Sequence, residues 1–344
     1  MSPLAKAEQS ARMQSDSQAV EETTVACPLT SPTEIKDLEI KVSGDDGVGL
    51  DGIDLLIQRS DGQVLTGKTG PTGLFRFKGL DAGNYELGLP GLDQDAWEVK
   101  DIQALPDAGT HTIAPWKAAA APVASKEQSH IIKQGECLGK IAEQYGFFPQ
   151  TIWDHPANQA LKSLRHDKMH ILLENDRVVI PDKRYKTETV AAGHQALLLR
   201  LGVPERLRIR FLHDDESPRA GVPYLLSIST GDDSPLADIA GQTTGEGFID
   251  QPIPPRAVSA IVILDPGPRQ ERHTFNIGFM DPIDRVSGWQ ARLNSLGYEC
   301  GAQDNVSGPR TKAAIRRFQR AKNLPETGEA DPATQDELLR TMGS

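Results

Sequence analysis

Residues 304–321 read DNVSGPRTKAAIRRFQRA. Pro309 suits the first position of a helix, where its missing N–H costs nothing. From there Thr311, Ala314, Ile315, Phe318 and Ala321 recur at helical spacing and form one narrow apolar stripe. The other face carries Arg310, Lys312, Arg316, Arg317, Arg320 and Lys322. Upstream, WQARLNSLGY (289–298) is a short helix with glycine at its end. Downstream, Leu324, Thr327 and Gly328 make a loop, Asp331-Pro332 opens a third helix, and Leu338 and Leu339 close its core. Three short helices around one small core follow from residues 285–344.

Working outward, residues 130–184 form a second compact unit. His130–Lys133 is a short strand, and Gln134-Gly135-Glu136-Cys137 turns into a helix with Leu138, Ile141, Ala142 and Tyr145 on one face. Gly146 stops that helix. Pro149–Trp153 forms a second one, broken at His155-Pro156, and Asn158 follows. Arg177-Val178-Val179-Ile180-Pro181 is a closing strand, which gives the order strand, helix, helix, strand.

The flanks are β in pattern. Leu38, Ile40 and Val42 alternate with charged residues, and the same two-residue spacing recurs at Leu55 and Ile57, at Phe75 and Phe77, and at Tyr85, Leu87 and Leu89. The pattern returns at Leu197–Leu201, Leu207–Leu212, Tyr224–Ile228 and Ala260–Leu264. Gly52–Ile57 parallels Gly221–Leu226, and Gly67–Phe75 parallels Gly241–Ile249, so the two β segments look related. The expected class is multidomain α+β, with two small β-sandwich-like domains, one βααβ unit and one three-helix unit. The boundaries expected are a disordered segment over 1–32, a sandwich over 33–116, a linker over 117–128 (from KAAAAPVASKE), the βααβ unit over 129–186, a second sandwich over 187–284 and the helical unit over 285–344.

The net charge of −11 argues against nucleic-acid binding, which needs a basic face. Residues 1–115 hold 19 acidic against 9 basic residues, so the acidity sits in the front third. Cys27, Cys137 and Cys300 are too few for a disulfide framework and read as free thiols. The first residues have no apolar secretory core, and no stretch has the 18 or so apolar residues of a membrane span, so no membrane insertion is expected. Synthesis in the cytoplasm, with export by a route other than a secretory signal, follows as an expectation.

Known chemistry is sparse. No metalloprotease helix, nucleophile elbow or phosphate loop is present. His166 and His170 stand four apart without a third ligand, and His213-Asp214-Asp215-Glu216 reads as a charged turn. No catalytic residue, cofactor or metal is assigned.

Two family resemblances rest on these residues. The 285–344 segment resembles the three-helix peptidoglycan-binding family at Asp304, Gly308, Thr311, Ala314, Ile315, Phe318, Gln319, Leu324, Gly328, Asp331 and Thr334, with Asn305 and Ser307 in place of the usual Gly and Phe, a change expected to loosen the hairpin. This implies wall binding at Asp304, Thr311, Arg316, Arg317 and Arg320, the arginines meeting stem-peptide carboxylates or simply facing solvent. The 130–184 segment resembles the LysM domain, with Glu136 and Cys137 where Asp and Thr are usual. That resemblance implies a glycan groove at Gly135, Glu136, Cys137, Leu138, Ile152, Trp153 and Asn158, or else a spacer or docking unit. Its long form, with Trp153, Pro156-Ala157-Asn158, Leu161-Lys162 and Arg165, resembles units of contractile injection machines of the type VI kind. The β segments resemble transthyretin-like, carboxypeptidase-regulatory-like sandwiches. Together they imply a non-catalytic, modular peptidoglycan-binding adaptor of such a machine, with spike or effector proteins as further partners. The alternatives are a peptidoglycan hydrolase or toxin with an active site in 187–284, and a structural spike or phage-tail component.

Overall fold

The computed structural model describes residues 35–105, 116–118, 126–231 and 238–342. The expected disordered segment 1–32 and most of the expected linker lie outside these residues. The mixed α+β class holds, with several sheets and a set of helices concentrated at the end of the chain.

Strand β1 (Ile35–Ser43) turns Leu38, Ile40 and Val42 into the first core, because side chains alternate across a strand. Strands β2 (Asp54–Gln58) and β3 (Gln63–Lys68) form a hairpin whose turn places Gly62 at φ 83°. Strand β4 (Leu74–Asp81) pairs antiparallel with β1, and β5 (Asn84–Gly88) with β2. Strand β6 (Trp97–Ala104) follows. Lys117 and Ala118, expected in the linker, form a short strand β7 against β3.

The next unit has the expected opening strand, two helices and closing strand, with a third helix that was not expected. Strands β8 (Gln128–Ile131) and β9 (Arg177–Ile180) pair antiparallel. Between them lie α1 (Leu138–Tyr145), α2 (Pro149–Trp153) and α3 (Gln159–Leu164). Gly146 ends α1 in the left-handed region at φ 77°. Helix α3 takes up part of the extra length between Asn158 and Pro181.

The boundary expected at 186/187 is displaced. Strands β10 (Thr187–Ala191) and β11 (His194–Arg200) belong to the first sandwich: β10 pairs with β5, and β11 lies between β1 and β6. The first domain is therefore two sheets, ordered β4-β1-β11-β6 and β10-β5-β2-β3-β7, with the βααβ unit inserted in it. Alternation shows that 194–200 is a half-buried strand; it does not say which sheet receives it.

Buried polar groups fix the insertion in place. Arg200 donates to Phe147 O at 2.8 Å, Leu201 O at 2.8 Å and Ala96 O at 3.1 Å. Burial pulls its guanidinium pKa down to about 10, against Glu143 and Asp45, which hold it up. The buried Asp93 carboxylate accepts from Arg184 N at 2.8 Å and from Arg184 Nη2 at 2.9 Å. Lys183 Nζ reaches Gly91 O at 2.8 Å.

The second β domain pairs β12 (Glu205–Arg210) with β15 (Phe248–Ile253). Facing them is a sheet ordered β14-β13-β16-β17, made of β13 (Pro223–Ser229), β14 (Ile239–Gln242), β16 (Ser259–Leu264) and β17 (Glu271–Asn276). Last come α4 (Val286–Ser295), α5 (Pro309–Ala321) and α6 (Pro332–Met342). Leu293, Leu296, Tyr298, Ala314, Ile315, Phe318 and Leu338 form their core, with Phe248 of the β domain packed into it.

Candidate functional site

The helical module is built from two copies of one arrangement. Gln290 on α4 sends Nε2 to Asp304 Oδ1 (2.7 Å), Thr311 Oγ1 (3.1 Å) and Val306 O (3.2 Å), and its Oε1 accepts from Asn305 N (3.1 Å). Gln319 on α5 sends Nε2 to Thr327 Oγ1 (2.9 Å), Thr334 Oγ1 (3.0 Å) and Glu329 O (3.0 Å), and its Oε1 accepts from Gly328 N (2.9 Å). Both glutamines are buried. Each closes the loop that precedes a helix opened by proline, Pro309 or Pro332, and in each loop the glutamine Oε1 accepts from the main-chain N–H of a left-handed residue, Asn305 (φ 60°) or Gly328 (φ 73°). Asn tolerates that conformation. Asn305 also accepts at Oδ1 from Ser287 N at 3.2 Å, so its substitution for glycine ties the hairpin down where loosening was expected.

Sequence-expected residues fall into two groups here. Asp304 and Thr311 belong to the Gln290 network. The Gln290 hydrogen bond, and after it the Val306 amide, hold the Asp304 carboxyl below the usual carboxylate range. Thr311 is buried. The arginines are on the surface but are not equivalent. Arg320 makes a two-pronged pair with Glu326 at 3.0 and 2.7 Å. Arg317 Nη2 donates to Glu299 O at 3.3 Å. Arg316 lies over the Gly328 loop, its guanidinium where a Cβ on Gly328 would be 2.8 Å away. Neither Arg316 nor Arg317 has a carboxylate within 4.0 Å among the described residues. Among the described residues the exposed Arg310 at the start of α5 likewise has no carboxylate within 4.0 Å.

Sequence reading missed Arg292. It is fully buried on α4 and donates from Nη1 to Asp281 O at 2.8 Å and Gly288 O at 2.9 Å, tying the incoming chain to the helix. Burial pulls its pKa down to about 10, with Asp281 opposing. An arginine among polar neighbours carries no sequence signal of such burial.

In the inserted unit, Leu138, Ile152 and Trp153 are core residues. Trp153 Nε1 donates to Asp167 Oδ1 at 2.8 Å. Asn158 is buried; its Nδ2 donates to Ile152 O (2.7 Å) and Val179 O (2.8 Å), and its Oδ1 accepts from Val179 N (2.8 Å), fastening the second loop to β9. Glu136 holds its own turn, accepting from Lys133 N at 2.9 Å and pairing with His130 Nε2 at 2.8 Å. Desolvation raises its pKa, but these hydrogen bonds outweigh it and leave the carboxyl below its ordinary value. Burial, followed by the Glu205 carboxylate, pushes the Cys137 thiol up to about 11. The loop 135–139 is covered by the chain's own residues. A Cβ on Gly135 would stand 3.1 Å from the Phe279 ring, and one on Gly139 would stand 1.7 Å from Glu205 Oε1. His166 and His170 follow α3 and are exposed. Among the described residues no three His, Cys, Asp or Glu side chains are grouped to hold a metal.

Residues 284–338 match the model of the PG_binding_1 family, a peptidoglycan binding domain. A comparison with curated proteins finds no match. Among solved structures, the Bacillus anthracis TIE protein overlaps 71% of this chain at 13% identity and a TM-score of 0.21. A streptococcal ancillary pilin overlaps 72% at 7% identity and a TM-score of 0.19. The chain spans 31% of the first of these proteins and 60% of the second. A DUF3823 family protein from Parabacteroides merdae ATCC 43184 overlaps 71% of this chain and 99% of its own length, at 9% identity and a TM-score of 0.22. No helix among the described residues is long and apolar enough to cross a membrane.

Proposed function

We propose that this chain binds peptidoglycan through residues 284–338, without catalysis, while the β domains and the inserted unit hold that module in place. The observation that carries the reading is the family match over a segment folded as three helices around Leu293, Phe318 and Leu338. The surface assigned to the wall is the loop-and-helix face bearing Arg316 and Arg317, whose charges are not paired within the module. The inserted unit keeps its LysM-like order but serves as a rigid strut or docking unit, because its first loop is packed under Phe279 and Glu205.

The finer reading is of an accessory to a contractile injection machine, with spike or effector proteins as partners, carried by that machine from the cytoplasm to the cell envelope. Its support is the long form of the 130–184 unit. Loss of extracellular recovery in a strain without such a machine is the expected result; unchanged recovery rejects the assignment.

The binding test is a pull-down with purified sacculi at low and high salt. The intact chain is retained and releases no muropeptides. Replacing Arg316 and Arg317 by Ala weakens retention mainly at low salt, because exposed charges are screened beyond about 10 Å at 0.1 M. No retention of the intact chain rejects wall binding, and muropeptide release rejects the non-catalytic reading.

A further inference from the structure

The second β domain repeats the first with a strand position left open. Val42 N donates to Gly73 O at 2.8 Å, and 169 residues later Phe211 N donates to Gly247 O at 2.9 Å. Leu50 N to Val42 O (2.9 Å) is matched by Arg219 N to Phe211 O (3.0 Å), and Gly44 N to Val48 O (2.9 Å) by His213 N to Ser217 O (2.9 Å). By these correspondences β12 stands for β1, β15 for β4, β13 for β2, β14 for β3 and β16 for β5. Strand β17 takes the place of β10, antiparallel at the edge beside β16 as β10 is beside β5.

The first domain then adds β11, parallel to β1, with Glu39 opposite Gln195 through Ser43 opposite Leu199. Among the described residues β12 has no such neighbour; its one partner is β15. The counterparts of Glu39–Ser43 are Arg208–Leu212, and all of them line two clefts of about 540 and 730 Å³. The clefts share Ile209, Phe275, Asn276, Ala291, Ser295 and Gln303, so they adjoin along β12, with β17 as the facing wall and α4 as the third. Because Phe211 is bonded to Gly247, alternation in an antiparallel pair turns the main-chain N–H and C=O of Arg208 and Arg210 away from β15 and toward the clefts, where the Arg210 carbonyl also lies beside Gly297, close enough that a Cβ there would stand 3.0 Å away.

We propose that this open edge of β12 is a strand-acceptor site, at which an extended segment of a partner polypeptide adds parallel to Arg208–Leu212 as β11 adds to β1. Main-chain hydrogen bonds supply the affinity and alternate side chains the specificity. In β11 the inward residues Ala196 and Leu198, opposite Ile40 and Val42, are fully buried. The partner segment therefore carries small or aliphatic residues opposite Ile209 and Phe211. On the other face Arg208 and Arg210 lie 4.3 and 5.4 Å from the Phe248 ring and bond to the carbonyls of Met342 and Glu246, with no carboxylate partner within 4.0 Å among the described residues. Acidic residues at the outward positions of the segment complement them.

The probe is a fluorescent peptide with the sequence of residues 193–201 carrying Gln195→Glu, Leu197→Glu and Leu199→Glu, with a scrambled peptide as control. The intact chain binds the probe saturably and the scramble does not. Arg208→Pro, which removes an open-edge amide, and Ser295→Trp, which fills the cleft from α4, each weaken binding about tenfold or more. Arg208→Ala keeps the amide and weakens it only at low salt. Near-ultraviolet circular dichroism and sacculus retention of the same variants confirm that they are folded, so failure here and failure of wall binding are read separately. No binding to the intact chain overturns the proposal, as does equal binding by Arg208→Pro, Arg208→Ala and Ser295→Trp. A concentration-dependent dimer that Arg208→Pro abolishes makes the occupant a second copy and overturns the assignment to a partner.

Discussion

Thr69 and Thr243 do the same work in the two β domains. Thr69 Oγ1 donates to Leu50 O at 2.6 Å and accepts from Ile53 N at 2.9 Å. Thr243 Oγ1 donates to Arg219 O and accepts from Val222 N at 2.9 Å. Both are buried, and both sit where the chain crosses from one sheet to the other. Replacing either with Val keeps the shape but strands a main-chain donor and acceptor. Each change is expected to cost about 1–3 kcal/mol, and the double variant about their sum, since the two sites share no partners. Urea denaturation of the three variants measures this; a silent single variant means the hydroxyl bridge is not a stabilising element.

Gln290 and Gln319 are expected to decide the stability of the helical module. Gln319→Leu leaves Gly328 N and Glu329 O without their buried partner. A loss of about 3 kcal/mol is expected, with sacculus retention falling in parallel, since unsatisfied buried groups cost about 1–3 kcal/mol each. The check is thermal unfolding followed by tryptophan fluorescence, alongside the pull-down.

Arg200→Met should loosen the inserted unit while leaving the sandwich core packed. It leaves the carbonyls of Phe147 and Leu201 without the Arg200 donor, while Ala96 O keeps the Leu201 N–H at 2.9 Å. Hydrogen exchange should speed up in α1 and α2 by at least about tenfold, corresponding to about 1.4 kcal/mol of local stability. Exchange that rises equally across β1 and β4 would show that Arg200 supports the whole domain.

The turn at 133–136 gives a pH prediction. Glu136 is held below its ordinary pKa in the folded chain, so its contribution is complete above the unfolded value and is lost as pH falls through the folded one. Glu136→Gln should therefore lower stability near neutral pH and flatten the acid limb of the stability profile below the ordinary carboxylate range. Melting temperatures of both proteins from pH 3 to 7 are the measurement, and parallel profiles would reject this role.

The sequence by itself determined the local elements. The 3.6-residue stripe through Thr311, Ala314, Ile315 and Phe318, the prolines at 309 and 332, and the alternation at Leu38, Ile40 and Val42 all reappear as helices and strands, because each is a short-range demand on one chain segment. The internal duplication was also legible, through Gly52–Ile57 against Gly221–Leu226. Only the tertiary structure decided which sheet received 187–200, since alternation is satisfied equally by any apolar face and pairing partners are chosen by long-range packing. The same holds for the covering of Gly135 by Phe279 and the burial of Arg200 against Ala96 and Phe147. Those contacts join segments far apart in the chain, which no pattern within a single segment encodes; Arg292 and Arg320 find partners only 11 and 6 residues away, at Asp281 O and Glu326, yet nothing in their residue type marks the one as buried or the other as paired.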